Sequence, residues 1–302
     1  MALTSPTSRP PHTALAAILV SAACAACLAC APASSAEPAS GAPGPDMTDR
    51  TREVRIGYLH HSTGEAVWNG GVPEFIQKWN DAHGTRYRIR EVTYPATTGG
   101  GWPPLLRRLV STYPWANYPY DYWNLWVSHT GSSHDRGEKN LDDLAKEFDV
   151  IVFKHCFPVS RVQPGGATPR VDSDEKTIAN YKLQYGALKE RLHQFPKTRF
   201  IVWTGAALPE SSTSPDDARR ARDFFEWVKG SWDEKGDNVF VWDFLELETG
   251  GGLFLKPEHG SAPGNAHPGP AFSRRVAPLV GRRIVDVVEG RGDETRLTGE
   301  AP

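Results

Sequence analysis

The chain has 302 residues, and its 34 Lys and Arg against 36 Asp and Glu leave a formal net charge of −2 at pH 7. Charges of both signs are scattered along it, so composition argues against a nucleic-acid partner or a polyanion-binding surface. The length suffices for one large domain with a hydrophobic core, even after a leader is removed.

The first residues have the composition of a targeting segment. Arg9 precedes an apolar run of small residues that ends at Cys30, and Ser34-Ser35-Ala36 is a plausible cleavage site. This pattern predicts a signal peptide over residues 1–36 and a Pro/Ala/Gly-rich linker over 37–50. Alternatively, Cys30 is lipid-modified and tethers the chain to a membrane. Both alternatives predict an exported protein, periplasmic or extracellular.

Cysteine usage leaves no structural disulfide in the mature chain. Three of the four cysteines (Cys24, Cys27 and Cys30) lie in the predicted leader, and Cys156 remains. A single cysteine cannot form an internal disulfide, so a packed core has to hold the fold.

The first predicted strand and helix flank a hydroxyl group. Residues 54–71, VRIGYLHHSTGEAVWNGG, begin with strand-like alternation and then stop at Ser62. A helical pattern follows over residues 72–82, with Gly84 as its stop. A serine on a strand-to-helix turn is where α/β enzymes commonly place a nucleophile, because backbone N–H groups point outward there.

The next segments are a strand, a loop and an aromatic region. Residues 86–94 read as a strand, residues 97–102 as a glycine-rich loop and residues 103–112 as a short helix. Residues 113–137 lack a period and predict a functional loop or lid. The tryptophans and tyrosines between Trp102 and Trp126 have two interpretations: core packing, or a stacking surface for sugar rings.

Three further strands alternate with helices in the second half. The strands are predicted over residues 148–155, 199–204 and 239–245. Between them lie a helix with its N-terminal cap at Asp172 and Glu175 and a helix opened by Ser214 and Pro215. A loop over residues 250–269 leads to a last helix, residues 271–289, which Pro278 is expected to kink.

This order of elements predicts an α/β fold: a three-layer α/β/α sandwich with a parallel, flavodoxin-like five-stranded sheet. The domain spans residues 51–290, and residues 291–302 form a disordered tail. Ligands of such sheets bind at the carboxyl ends of the strands. Ser62, the glycine loop and residues 155–160 all fall at those ends, and His267 lies in the loop before the last helix.

These positions resemble the SGNH (GDSL-like) hydrolase superfamily. The stretch LHHSTG stands at that family's first block, with Ser62 as nucleophile, and Asn265-Ala266-His267-Pro268 resembles its last block, with His267 as base. The resemblance implies an esterase or acetylesterase without metal or cofactor, acting on a small-molecule or carbohydrate ester. The chemistry agrees, because serine needs an adjacent base and imidazole titrates near neutral pH.

The resemblance also implies donors for an oxyanion. The backbone N–H of Ser62 and one from Gly99 or Gly100 would serve, and His155 or Cys156 stands where the family carries an asparagine. His61 and Trp102 are predicted to line the substrate site.

The last block departs from the family at one position. The family's aspartate precedes the histidine by three residues, and Gly264 stands there, followed by Asn265. Asn265 could orient the imidazole, Asp243 or Glu258 could replace the aspartate, or a backbone carbonyl could support a Ser–His dyad.

Two rival functions follow from the same residues. A non-catalytic glycan-binding protein would keep the fold without the acidic triad member. A metal hydrolase would require His60, His61, His155, His259 and His267 to converge, although the chain contains no HExxH motif.

Overall fold

The computed structural model describes residues 49, 52–94, 113, 116–166 and 168–301. All of them belong to one compact unit, Gly41–Pro302. The predicted signal peptide (1–36) and almost all of the predicted linker (37–50) lie outside the described residues. No helix in the described ranges is long and apolar enough to cross a membrane.

Five parallel strands form the sheet. They are β1 (Glu53–His60), β2 (Arg86–Thr93), β3 (Val150–Phe153), β4 (Arg199–Trp203) and β5 (Val239–Trp242), in the spatial order β2-β1-β3-β4-β5. Ile56 stands opposite Val150, and Phe200 stands opposite Val239. The predicted flavodoxin-like α/β fold is confirmed.

Helices connect the strands and cover the sheet. The α-helices are α1 (Thr63–Trp68), α2 (Val72–His83), α3 (Pro119–Tyr122), α4 (Leu141–Glu147), α5 (Ile178–His193), α6 (Pro215–Trp227), α7 (Phe244–Thr249) and α8 (Pro270–Val288). Single π-helical turns, Trp123–Ser128 and Val228–Trp232, extend α3 and α6. Helix α8 runs on through Pro278.

The hydrophobic core has two halves, one on each face of the sheet. On one face, α5 packs Tyr181, Tyr185, Leu188 and Leu192 together with Phe224 of α6 and Trp126. On the other face, α1, α2 and α8 bury Val67, Ile76 and Val276 against β1 and β3. The central strand β3 is buried along its whole length, which is typical of parallel strands covered on both sides. Strand β5 lies at the edge of the sheet and is also buried along its whole length.

Local signals explain several helix ends. Gly84 closes α2 in the left-handed conformation (φ 68°), as its position predicts. Ser214 caps α6 by accepting from the Asp217 N–H. The predicted cap at Asp172 and Glu175 is wrong, because α5 begins at Ile178 and Thr177 accepts from the Asn180 N–H instead.

The aromatic region 113–137 contains more regular structure than its sequence predicts. Tyr122 and Trp126 are 1% and 0% exposed in the core, which excludes these two side chains from a sugar-stacking surface. Trp102 lies outside the described residues.

The predicted disordered tail is wrong for residues 291–301. The Asp243 N–H donates to the Leu297 carbonyl oxygen (2.9 Å), and Trp242 Nε1 donates to the Thr298 carbonyl oxygen (3.0 Å). The buried Arg283 guanidinium of α8 donates to the carbonyl oxygens of Val241 (2.8 Å) and Gly292 (2.5 Å). The tail therefore closes the end of β5, through backbone groups that composition does not reveal.

Candidate active site

Ser62 occupies the turn between β1 and α1. Its backbone lies at φ 52° and ψ −104°, outside the regions that residues with a Cβ atom prefer. The turn is tight because Gly64 lies on Lys154: a Cβ atom on Gly64 would stand 2.5 Å from His60 Cβ and 2.9 Å from Lys154 Cε. Among the described residues the Ser62 N–H has no protein acceptor, so it can donate to a bound oxygen atom.

His267 reaches Ser62 from the loop before α8. Ser62 Oγ and His267 Nε2 are hydrogen-bonded. The Ser261 N–H donates to the His267 carbonyl oxygen (2.8 Å), and the Phe157 ring meets the imidazole edge-on with centroids 5.5 Å apart. The loop thus holds the His267 backbone, and Phe157, from the turn after β3, packs against the ring.

Asn265 is bonded to the other imidazole nitrogen. Its Oδ1 lies 3.0 Å from His267 Nδ1 and 2.9 Å from the His267 backbone nitrogen. Since an amide oxygen can only accept, Nδ1 carries the proton and Nε2 presents its lone pair to Ser62. This is the tautomer that a general base requires.

At the position of the family's aspartate, Gly264 is distinguished by its backbone conformation and not by crowding, since an added Cβ atom would lie 3.7 Å from Ser211 Oγ. Its φ of 73° is left-handed and favours glycine, and the turn brings the next residue, Asn265, to the imidazole. Asp243, the alternative carboxylate, accepts from Thr204 Oγ1 (2.7 Å) and Lys229 Nζ (2.8 Å) at the end of β5. Glu258 is exposed and makes no hydrogen bond to His267 within the described ranges.

A polar cleft of about 720 Å³ opens beside Ser62 and His267. Its lining includes the predicted His61, together with two exposed glutamates, Glu65 and Glu91. Burial, with the positive charge of Lys154 as second cause, lowers the pKa of His60 and that of His61 to about 4. Both imidazoles are therefore neutral at pH 7, and the glutamates give the cleft a negative rim.

His155 does not reach the cleft. It is 0% exposed, its Nε2 is hydrogen-bonded to Tyr185 Oη (2.5 Å), and its ring packs edge-on against Tyr122. Burial, followed by the charge of Lys154, lowers the pKa of His155 to about 3. The predicted oxyanion role of His155 is wrong, because its side chain turns into the core.

This burial predicts an acid-sensitive fold. Below pH 6.5, His155 becomes protonated in the unfolded chain but stays neutral in the folded chain, where its pKa is about 3. Acid therefore favours the unfolded state, and the free energy of unfolding falls. We expect His155 alone to contribute a loss of about 2 kcal/mol between pH 7.5 and pH 5. In urea unfolding, the free energy of unfolding of His155→Phe should fall by about 2 kcal/mol less than that of wild type over this pH range. His83→Ala, at an exposed histidine, is the matched control, and an unchanged pH dependence in His155→Phe would contradict the assignment.

Cys156 is half-buried and lies one residue before Phe157, the ring that contacts His267. Its Sγ accepts from Lys154 Nζ (3.1 Å) and Asn117 Nδ2 (3.5 Å). Sequence reasoning missed both partners as parts of this region. The signal for Lys154 was a lone charge at the end of an apolar strand; Asn117 lies in a stretch without a period and gave no signal. The predicted Gly99 and Gly100 lie outside the described residues.

The five histidines that a metal hydrolase would need do not all converge: His60, His61 and His267 line the cleft, but His155 and His259 do not. His155 is bonded to Tyr185, and His259 Nδ1 donates to the Glu248 carbonyl oxygen (2.8 Å) while Arg275 donates to its Nε2 (3.0 Å). The described part of the chain contains no group of three or more His, Cys, Asp or Glu arranged to hold a metal ion.

Comparison with protein-family models finds no match, and comparison with curated proteins finds none. Among solved structures, the chain is similar to a carbohydrate esterase family 2 enzyme with a carbohydrate-binding domain from Corynascus thermopiles (Myceliophthora fergusii). The identity is 11%, the TM-score 0.39, and the match covers 82% of this chain and 68% of that one. A second similar structure is a carbohydrate esterase whose active site displays divergent catalytic and non-catalytic binding functions. Its identity is 12% and its TM-score 0.31, over 78% of this chain and 65% of that one.

Proposed function

We propose that the chain is a serine ester hydrolase of the SGNH type that acts through an acyl-Ser62 intermediate. One observation carries the proposal: the continuous hydrogen-bond series from Ser62 Oγ through His267 to Asn265 Oδ1 at the carboxyl end of β1. A nucleophile, a base in the correct tautomer and an orienting group stand in the order that acyl transfer needs.

The first half-reaction forms the acyl-enzyme. His267 Nε2 takes the Ser62 proton while Oγ attacks the ester carbonyl carbon. The negative charge that develops on the carbonyl oxygen accepts a hydrogen bond from the Ser62 N–H, which has no acceptor within the described chain. The imidazolium then gives its proton to the departing alcohol.

The second half-reaction releases the acid. Water enters where the alcohol left, gives a proton to His267 Nε2 and attacks the acyl carbon, and the returning proton frees Ser62. Throughout both steps Asn265 Oδ1 keeps the Nδ1 proton in place, so the ring cannot rotate or change tautomer.

The residue that orients His267, Asn265, is neutral, and a charged replacement is expected to increase activity. We expect Asn265→Asp to raise kcat/KM for an activated acetate ester by about tenfold, because a carboxylate stabilises the imidazolium better than an amide. Asn265→Ala should lower kcat/KM, since it frees the ring. The measurement is the pH–rate profile of both variants. A slower Asn265→Asp enzyme with intact folding would show that a carbonyl acceptor, rather than charge, is what the site requires.

For the substrate we propose a neutral carbohydrate ester with a small acyl group. Among the described residues, the cleft beside Ser62 is lined by His60, His61, Glu65, Asn69 and Glu91, whose side chains can accept or donate hydrogen bonds to sugar hydroxyl groups. Export, predicted from the leader, is part of the same proposal, because it would place the enzyme where polysaccharides occur.

Trapping the intermediate tests the mechanism. The full chain is mixed with nitrophenyl acetate, quenched in acid and digested, and the peptide containing Ser62 should carry an acetyl group. Turnover without acetylated Ser62 would remove the acyl-serine mechanism. Binding of acetylated oligosaccharides without any turnover would instead support the non-catalytic glycan-binding alternative.

A further inference from the structure

Lys154 and Cys156 form a close pair beside the candidate active site. Lys154 Nζ lies 3.1 Å from Cys156 Sγ and 2.9 Å from the His155 carbonyl oxygen. No aspartate or glutamate in the described ranges forms an ion pair with this lysine, which is 2% exposed. The thiol sulfur is therefore one of two acceptors that the described residues offer this buried amine.

The pair cannot move apart easily. The Lys154 stem is held under the Ser62 turn, where a Cβ atom on Gly64 would stand 2.9 Å from Cε and 3.1 Å from Cδ. Cys156 is fixed by its own backbone, because its N–H donates to the Asn117 carbonyl oxygen (2.7 Å). The two reactive atoms are thus held near each other by packing on both sides.

Asn117 is the third residue of this cluster. It is 3% exposed, its φ is 61°, and its side-chain amide faces the sulfur through Nδ2 (3.5 Å). Its Oδ1 is buried and has no partner in the described part of the chain. An unpaired buried acceptor is costly, and an O–H group bound to the sulfur would satisfy it. A sulfenic acid on Cys156, the first product of thiol oxidation and the intermediate from which a bridge to Lys154 forms, would provide that group.

We propose that peroxide converts Lys154 and Cys156 into a covalent sulfur–oxygen–nitrogen bridge. The Cys156 thiol is half-buried and lies beside the Lys154 ammonium group, and thiols in such surroundings are sensitive to oxidation. One inserted oxygen atom spans the gap between Sγ and Nζ with little movement. A direct sulfur–nitrogen bond would instead pull the lysine stem out from under Gly64.

The chemistry consumes two peroxide molecules. The first oxidises the Cys156 thiol to a sulfenic acid and is reduced to water. The second accepts two electrons and is reduced to two waters as the Lys154 nitrogen bonds to the sulfenic oxygen. The ammonium group first gives one proton to solvent, and bond formation then removes one N–H and one O–H hydrogen. The product has gained one oxygen and lost two hydrogens. Excess dithiothreitol reverses both steps, restoring thiol and amine and releasing the oxygen as water.

The bridge would change the electrostatics next to Ser62. It replaces the Lys154 ammonium by a neutral group, and this ammonium helps to hold the pKa of His60 and that of His61 low. The bridge itself depends on the geometry of Lys154, Cys156 and Asn117, and it can form whether or not the chain hydrolyses esters.

Tryptic mapping of the full chain tests the bridge directly. In the reduced protein, trypsin cleaves after Lys154 and releases peptide 155–161. After hydrogen peroxide, we expect loss of that cleavage and a peptide covering 147–161 whose mass has increased by one oxygen minus two hydrogens. Dithiothreitol should restore peptide 155–161.

Two variants complete the test. Cys156→Ser should give no bridged peptide, and Lys154→Arg should leave Cys156 to proceed to sulfinic acid. Since the bridge is read on the wild-type peptide, misfolding of either variant leaves the result intact. Peptide 155–161 carrying only added oxygen, an unchanged peptide, or a dimer linked through Cys156 would each overturn the proposal.

Discussion

Ser62→Ala and His267→Ala are each expected to lower kcat/KM for nitrophenyl acetate by at least about 10³-fold. Ser62 supplies the attacking atom and His267 the base that receives its proton, so neither substitution leaves a path to the acyl-enzyme. A 10³-fold loss corresponds to about 4 kcal/mol of transition-state stabilisation. Initial rates at pH 7.5, with circular dichroism to establish folding, provide the measurement.

The double variant sharpens this prediction. Because the two residues act as one unit, Ser62→Ala with His267→Ala should be no slower than either single variant. Ser231→Ala, at an exposed serine of the π-helical turn after α6, is the matched control and should retain wild-type rates. Additive losses, or a Ser62→Ala enzyme that keeps turnover, would contradict a Ser–His mechanism.

Deleting residues 292–302 is expected to lower the free energy of unfolding by about 3 kcal/mol or more. The truncated chain leaves the 1%-exposed Arg283 guanidinium without the Gly292 carbonyl oxygen and Thr295 Oγ1. It also removes the acceptor of the buried Trp242 Nε1, which is the Thr298 carbonyl oxygen. Urea unfolding, or failure to accumulate as folded protein, is the readout.

Two controls separate this effect from truncation as such. Deleting only residues 301–302 removes none of these contacts and should change stability by less than about 0.5 kcal/mol. Arg283→Met in the truncated chain should recover part of the loss, because it removes the unpaired buried charge. A truncated chain as stable as wild type would mean that the contacts of the tail contribute nothing.

The fold could be predicted because its signals are local. The apolar run that contains β3, the stripe of α5 and the stop at Gly84 each specify an element without information from elsewhere. Element order then implies the sheet, since strands joined by helices pair in parallel. The same order brought Ser62 and His267 to one edge.

The rest of the site depends on side-chain direction. The turn of the chain after Phe153 decides whether His155 faces the cleft or the core. In the core, its side chain is hydrogen-bonded to Tyr185 of α5, which is distant in the sequence. The sequence suggested Asn265 as a candidate. Its hydrogen bond to His267, however, depends on the left-handed turn at Gly264. The prediction of a disordered tail was wrong because the tail is held through backbone carbonyl groups, and hydrophobic periodicity does not reveal such contacts.

The backbone of Ser62 has one more consequence. A side chain held at φ 52° and ψ −104° costs folding free energy, of the order of 1 kcal/mol, that glycine would not incur. Ser62→Gly should therefore melt at a higher temperature than Ser62→Ala, and higher than wild type. Selection for thermal resistance alone would remove the hydroxyl from this turn, so a screen for robust variants has to be paired with a screen for turnover.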